Sequence, residues 1–172
     1  MTYNSPNSKI VVISEGFKED MRVQCNNGTI EIDPLRAIQE EADTRIMLHI
    51  MHTSSKFVCV MARDTAFLII MLGHNKSIQG KDVWMKSGTM KKPKYVSLKK
   101  IINQNTFSNE SLELLIPFHA ITGCDTTSFM YGQSKVKALK VFKNHQHLLH
   151  QLGKGLLTEN TIKSVEEFIC KI

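Results

Sequence analysis

The chain has 172 residues, 42% of them hydrophobic and 22% charged, a length and balance that suit one globular domain with a buried core. No apolar run reaches the ~18–20 residues of a membrane span, so no membrane partner is expected, and the polar start MTYNSPNSK is not a secretory signal. A formal net charge of +6 admits a polyanionic partner such as nucleic acid.

In chain order, residues 1–8 are polar and read as disordered, and 9–172 as a single domain. KIVVI, from Lys9, is a short buried-type strand of β-branched residues. Asn26-Asn27-Gly28, between Met21–Cys25 and Thr29–Ile32, predicts a hairpin. Asp33-Pro34 reads as an N-cap and first helical residue. The helix it opens runs to about His52, with Ile38, Ala42, Ile46 and Ile50 as its buried stripe. The continuous apolar run FVCVMA, 57–62, predicts a central parallel strand covered on both faces.

Asp64 then leads a helix that ends at Gly73, and Asp82–Met85 is a further strand. Residues 86–94 form a basic loop, Tyr95-Val96 a short strand, and Ser97 caps a helix to about Asn103. Ser108 caps a helix that reaches Ile121. A basic helix runs from Lys135 to about His145, and Leu148–Leu152 reads as helical. Ser164-x-x-Glu167 matches a capping box for the last helix. Strands alternating with helices predict an α/β fold with a mainly parallel sheet and helices on both faces, preceded by the N-terminal hairpin.

Three places carry candidate chemistry. Glu40, Glu41 and Asp43 open a helix, Asp64 follows a strand, and Asp125 follows Gly123-Cys124 where an apolar element meets a loop. The carboxyl ends of parallel strands form the binding crevice of such folds, which makes Asp64 a site candidate. Carboxylates at a helix start also have a plainer role, since they complement the helix dipole. Glu41 and Arg45 are also spaced as an ordinary i,i+4 surface pair.

Taken together, Glu41-Ala42-Asp43, a helix, an apolar strand ending at Asp64 and then Gly123-Cys124-Asp125 resemble the PIN-like flap-endonuclease superfamily. Gly132-Gln133-Ser134-Lys135-Val136-Lys137 is similar to that superfamily's backbone-gripping helical motif. The wording EEADTR…HAITGCDTTS resembles a transposon-associated branch. The resemblance spans about residues 40–145. It implies a three-layer fold with a metal-site region at 40–127 and a helical nucleic-acid-binding region at 128–172. It also implies an intracellular setting, the nucleus ahead of the cytoplasm, and DNA ahead of RNA as partner.

The implied chemistry is phosphodiester hydrolysis by two Mg²⁺ or Mn²⁺ ions, which need hard oxygen ligands. The resemblance assigns metal coordination to Glu41, Asp43, Asp64 and Asp125, with Asp43, Asp64 and Asp125 catalytic. It assigns nucleic-acid binding to Ser134, Lys135, Lys137 and Lys140. Ala66 stands where the family has its second strand-end aspartate, and no first-strand aspartate precedes Glu40. The expectation is therefore an N-terminally truncated member, either an active nuclease or a degenerate one that binds without cutting. The alternative is a non-catalytic nucleic-acid or protein interaction domain of a transposon-derived protein.

Other constellations have plainer readings. His49 and His52 are packed or surface histidines rather than ligands, and His145, His147 and His150 sit at a basic helix end. Cys25, Cys59, Cys124 and Cys170, with no CxxC pair, read as reduced thiols. The lysine-dense stretch 86–100 reads as a solvated face, and Trp84, the single tryptophan, argues against a base-stacking platform.

Overall fold

A computed structural model describes residues 10–14, 22–26, 28, 32–36, 42–104, 107–124 and 127–172. The backbone forms two compact units, Met1–Lys56 and Phe57–Ile172. The expectation for residues 1–8 lies outside the described residues.

In the first unit, β1 (Val12–Ile13) pairs antiparallel with β2 (Gln24–Cys25). Both are two-residue strands, and Ile13 is exposed rather than buried. The Asn26 side chain fixes the pair by accepting from the Val11 amide at 2.8 Å. The strand expected after Asn27-Gly28 lies outside the described residues. The predicted continuous helix from Pro34 is broken. Asp33–Leu35 is a 3-10 turn, and Arg36 is extended with ψ 115°. The Asp33 carboxylate takes the Arg36 guanidinium at 2.9 Å instead of capping a helix.

The described part of the next helix, α1, is Ala42–His52. Its buried residues are Met47 and Ile50, while Ala42 is exposed. Met47, not Ile46, is what shares the buried stripe with Ile50. Arg45 donates to the Ser14 carbonyl at 2.7 Å, and His49 Nε2 bonds the Ser14 hydroxyl at 2.9 Å. Arg45 and His49 are one turn apart, so both reach one residue of the β1 segment.

The second unit is mixed α/β. Its sheet has the order β3-β4-β5, with β3 Phe57–Met61, β4 Asp82–Gly88 and β5 Pro93–Ser97. β3 runs parallel to β4, and β5 runs antiparallel to it. The sheet is thus mixed, and β3 is an edge strand rather than the central strand expected. Only Val60 of β3 is buried, while Phe57 is 76% and Met61 75% exposed. The stretch read as a basic loop is largely the β4–β5 hairpin.

α2 (Thr65–Gly73) crosses from β3 to β4 and packs on α5 (Leu115–Ile121), with α4 (Asn109–Glu113) and α3 (Leu98–Gln104) also against it. Gly73 is required there, because a Cβ would run into the Ile116 side chain. The caps read from sequence are present: Ser97 Oγ accepts from the Lys100 amide, and Ser108 Oγ from the Ser111 amide. The helix expected through Ile121 is divided at Leu114.

α6 is Lys135–His145 and α7 is Glu159–Cys170. Thr158, not Ser164, caps α7, accepting from the Thr161 amide. Residues 146–149 form a 3-10 turn. The rings of Phe118, Phe142 and Phe168 join α5, α6 and α7, with centroids 4.8 Å apart for Phe118–Phe142 and 6.4 Å for Phe118–Phe168. Phe142 and Phe168 are fully buried, so this cluster is a centre of hydrophobic stabilisation.

Candidate functional site

The expected carboxylates do not form a described cluster. Asp64 stands just beyond the carboxyl end of β3, as its place in the sequence suggests. Its Oδ1 accepts from the Ala66 amide at 2.8 Å, so it is the N-cap of α2. Asp43, half-buried, lies in the first turn of α1. It belongs to the first unit and Asp64 to the second. Glu41 and Asp125 lie outside the described residues. Among the described residues no three His, Cys, Asp or Glu side chains come together. The described donors therefore do not make up a Mg²⁺ or Mn²⁺ site, and no reaction step is derived through one.

The loop that contains Gly123-Cys124 has local causes for its composition. Gly123 has φ 100°, and a Cβ there would lie 2.6 Å from Phe129 Cβ. Only glycine fits both the dihedral and the space. Cys124 and Thr127 exchange backbone hydrogen bonds of 3.3 and 3.2 Å. The Thr127 hydroxyl donates to the Ala120 carbonyl at 2.6 Å and accepts from the Cys124 amide at 3.1 Å. This threonine closes the end of α5, whose last carbonyls have no partners within the helix. Cys124 Sγ, 3.2 Å from the same hydroxyl, is half-buried.

The lysines expected to bind nucleic acid are arranged on α6. Ser134 caps it, accepting from the Lys137 amide at 3.2 Å. Lys135, Lys137, Lys140 and Lys143 are all exposed. Lys135 Nζ donates to His119 Nδ1 of α5 at 3.0 Å, and Lys137 Nζ to Gln133 Oε1 at 2.8 Å. Among the described residues none of these lysines is in an ion pair. No acidic residue occurs between Asp125 and Glu159, so their charge has no local neutraliser in sequence either.

A second basic region is built by the sheet register. Cys59 pairs with Trp84 and Trp84 with Ser97; Met61 pairs with Lys86 and Lys86 with Tyr95. Directly paired residues project from the same face of a sheet. Phe57, Trp84, Lys86 and Tyr95 therefore share one face, opposite the face of the buried Val60, Val83 and Met85. Lys86 Nζ lies 5.9 Å from the Tyr95 ring centroid, and Lys100 Nζ 5.8 Å from that of Trp84. Both are cation–π distances. No acidic residue occurs between Asp82 and Glu110. Reading the sequence by counting tryptophans missed this face. The signal that marks it is the alternation Trp84-x-Lys86 opposite Tyr95, which needs the register to be seen.

An apolar groove of about 850 Å³, lined by Gly73, Ile116, Pro117, Ile121, Leu152 and Ile169, runs beside α5. At its rim Lys76 and Glu113 pair at 2.8 Å. That hydrogen bond holds the Glu113 carboxyl below its usual range and raises Lys76 above its own. His145 and His147 have ring centroids 6.2 Å apart and assemble no three-ligand set among the described residues. The four cysteines are free thiols. No helix among the described residues is long and apolar enough to cross a membrane.

These features describe a basic, mixed α/β domain with a lysine helix and an aromatic–lysine sheet face. No family profile, curated protein or solved structure matches the chain.

Proposed function

We propose that this chain is a nucleic-acid-binding domain of PIN-like, flap-endonuclease descent, with DNA ahead of RNA as its partner. What carries the reading is α6, where Lys135, Lys137, Lys140 and Lys143 are exposed on a helix with no acidic residue. Unpaired lysines on one element suit a phosphate backbone, whose neutralisation releases counterions. The free N–H groups at the Ser134 end add a dipole of the right sign. His119 fixes where Lys135 stands, which reduces the entropy lost on binding. In Lys135→Ala/Lys137→Ala, affinity for a labelled DNA strand should fall about equally for any sequence. The salt slope should flatten by about 2, near one per lost phosphate contact. Unchanged affinity and slope would overturn the reading.

The hydrolytic form of the proposal adds Mg²⁺ or Mn²⁺ held by Glu41, Asp43, Asp64 and Asp125. Its support is the place of Asp64 at the carboxyl end of the parallel strand pair. Calorimetric titration with Mn²⁺ tests it. Equal affinity in the wild type and Asp64→Asn would remove Asp64 from any metal site and leave the binding function alone.

A further inference from the structure

We infer that the open face of the β3-β4-β5 sheet is a platform for single-stranded nucleic acid, on which bases stack over Tyr95 and Phe57. The ligand class rests on the function proposed above, but the site is separate from α6. Tyr95 is 56% and Phe57 76% exposed, far more than rings that serve only as core. Trp84, half-buried, stands on the central strand between them. Diagonal neighbours on a sheet face are roughly 7–8 Å apart, which leaves room for one base over each ring. Lys86 and Lys100 already sit beside the Tyr95 and Trp84 rings. A stacking ring with a neighbouring cation is the pair a single strand needs, because its bases are apolar-faced and its phosphates anionic. Asp82, opposite Phe57, is the one carboxylate that the register adds to this face.

The charge favours this occupant over an apolar protein segment. Lys86, Lys91, Lys92, Lys94, Lys99 and Lys100 all fall in the acid-free stretch between Asp82 and Glu110. A duplex has no exposed base faces, so stacking selects the single strand.

Trp84 is the only tryptophan of the chain, which makes its fluorescence a direct reporter. The full chain is titrated with a short oligothymidylate, a short oligouridylate and a duplex of equal length. The expected result is saturable quenching by a single strand and little by the duplex; the tighter of the two strands identifies the sugar. Tyr95→Ser and Phe57→Ser, both at exposed positions, should each weaken binding about tenfold or more. Their unfolding midpoints should stay at the wild-type value. Lys135→Ala/Lys137→Ala should keep the full quenching amplitude at saturation, which separates this site from α6. Strand binding seen by anisotropy without quenching would overturn the platform and leave the α6 reading standing. Equal quenching by duplex, wild-type affinity in Tyr95→Ser, or a self-association abolished by Phe57→Ser would each overturn it too.

Discussion

A Cβ on Gly123 would meet the Phe129 side chain and backbone, at a φ that L side chains rarely adopt. Gly123→Ala therefore combines backbone strain with a clash, together roughly 2–5 kcal/mol. Thermal melting should show a clear drop in midpoint; an unchanged midpoint would mean that the loop does not hold this form. Asp64 separates two roles more finely. Asparagine caps a helix about as well as aspartate, whereas alanine forfeits ~0.5–2 kcal/mol. Asp64→Asn should melt with the wild type and Asp64→Ala should melt earlier, as denaturant titration will show. If Asp64→Asn also loses Mn²⁺ affinity at full stability, the carboxylate is a ligand as well as a cap. Roles of this kind are legible in sequence because they are local. Ser108, Ser134 and Asp64 each bond an amide two or three residues on, so residue type and position suffice.

At the scale of elements, the pair Lys76–Glu113 joins the 3-10 turn Asn75–Ile78 to the end of α4. The Glu113 pKa is lowered by its hydrogen bond to Lys76, so its contribution is present above the usual carboxylate pKa. It is lost as pH falls through the lower folded value. The Lys76 pKa is raised, so its part is complete below the usual lysine pKa and lost as pH rises through the folded value. Both side chains are partly exposed, so the effect is small and screened by salt. Glu113→Gln should make stability between pH 3 and 5 slightly less pH-dependent, measured by urea unfolding across that range.

Element boundaries were legible where one signal stood alone. α6 begins and ends where its Ser134 cap and basic pattern place it. α7 offered two caps, and Thr158 prevails over Ser164 because starting earlier satisfies more backbone amides. The FVCVM run was misread because an apolar strand looks alike at the edge and at the centre of a sheet. Its exposure follows from pairing with β4 alone, a long-range choice that no local pattern encodes.

At the scale of the whole molecule, the chain carries a net +6 distributed unevenly. Its lysines concentrate in two acid-free stretches, one along β4, β5 and α3, the other through α6. Composition showed the excess, but only folding separates a lysine helix from an aromatic–lysine sheet face. Phe57, Trp84 and Tyr95 are far apart in sequence and meet through strand register, so the sequence reading had no means to join them. The metal-site expectation fared differently: it rested on a resemblance, and Ala66 stands at the position of an expected ligand.

The central claim is that this chain neutralises a nucleic-acid backbone. The most direct measurement is the affinity of the unmodified chain for a labelled single strand as salt is varied. Engagement of three or four phosphates by the lysines gives a log–log slope of about −2 to −3 on a single strand. A slope of that size, the same for unrelated sequences, is the expected result. No binding at low salt, or an affinity that salt leaves unchanged, would contradict the account.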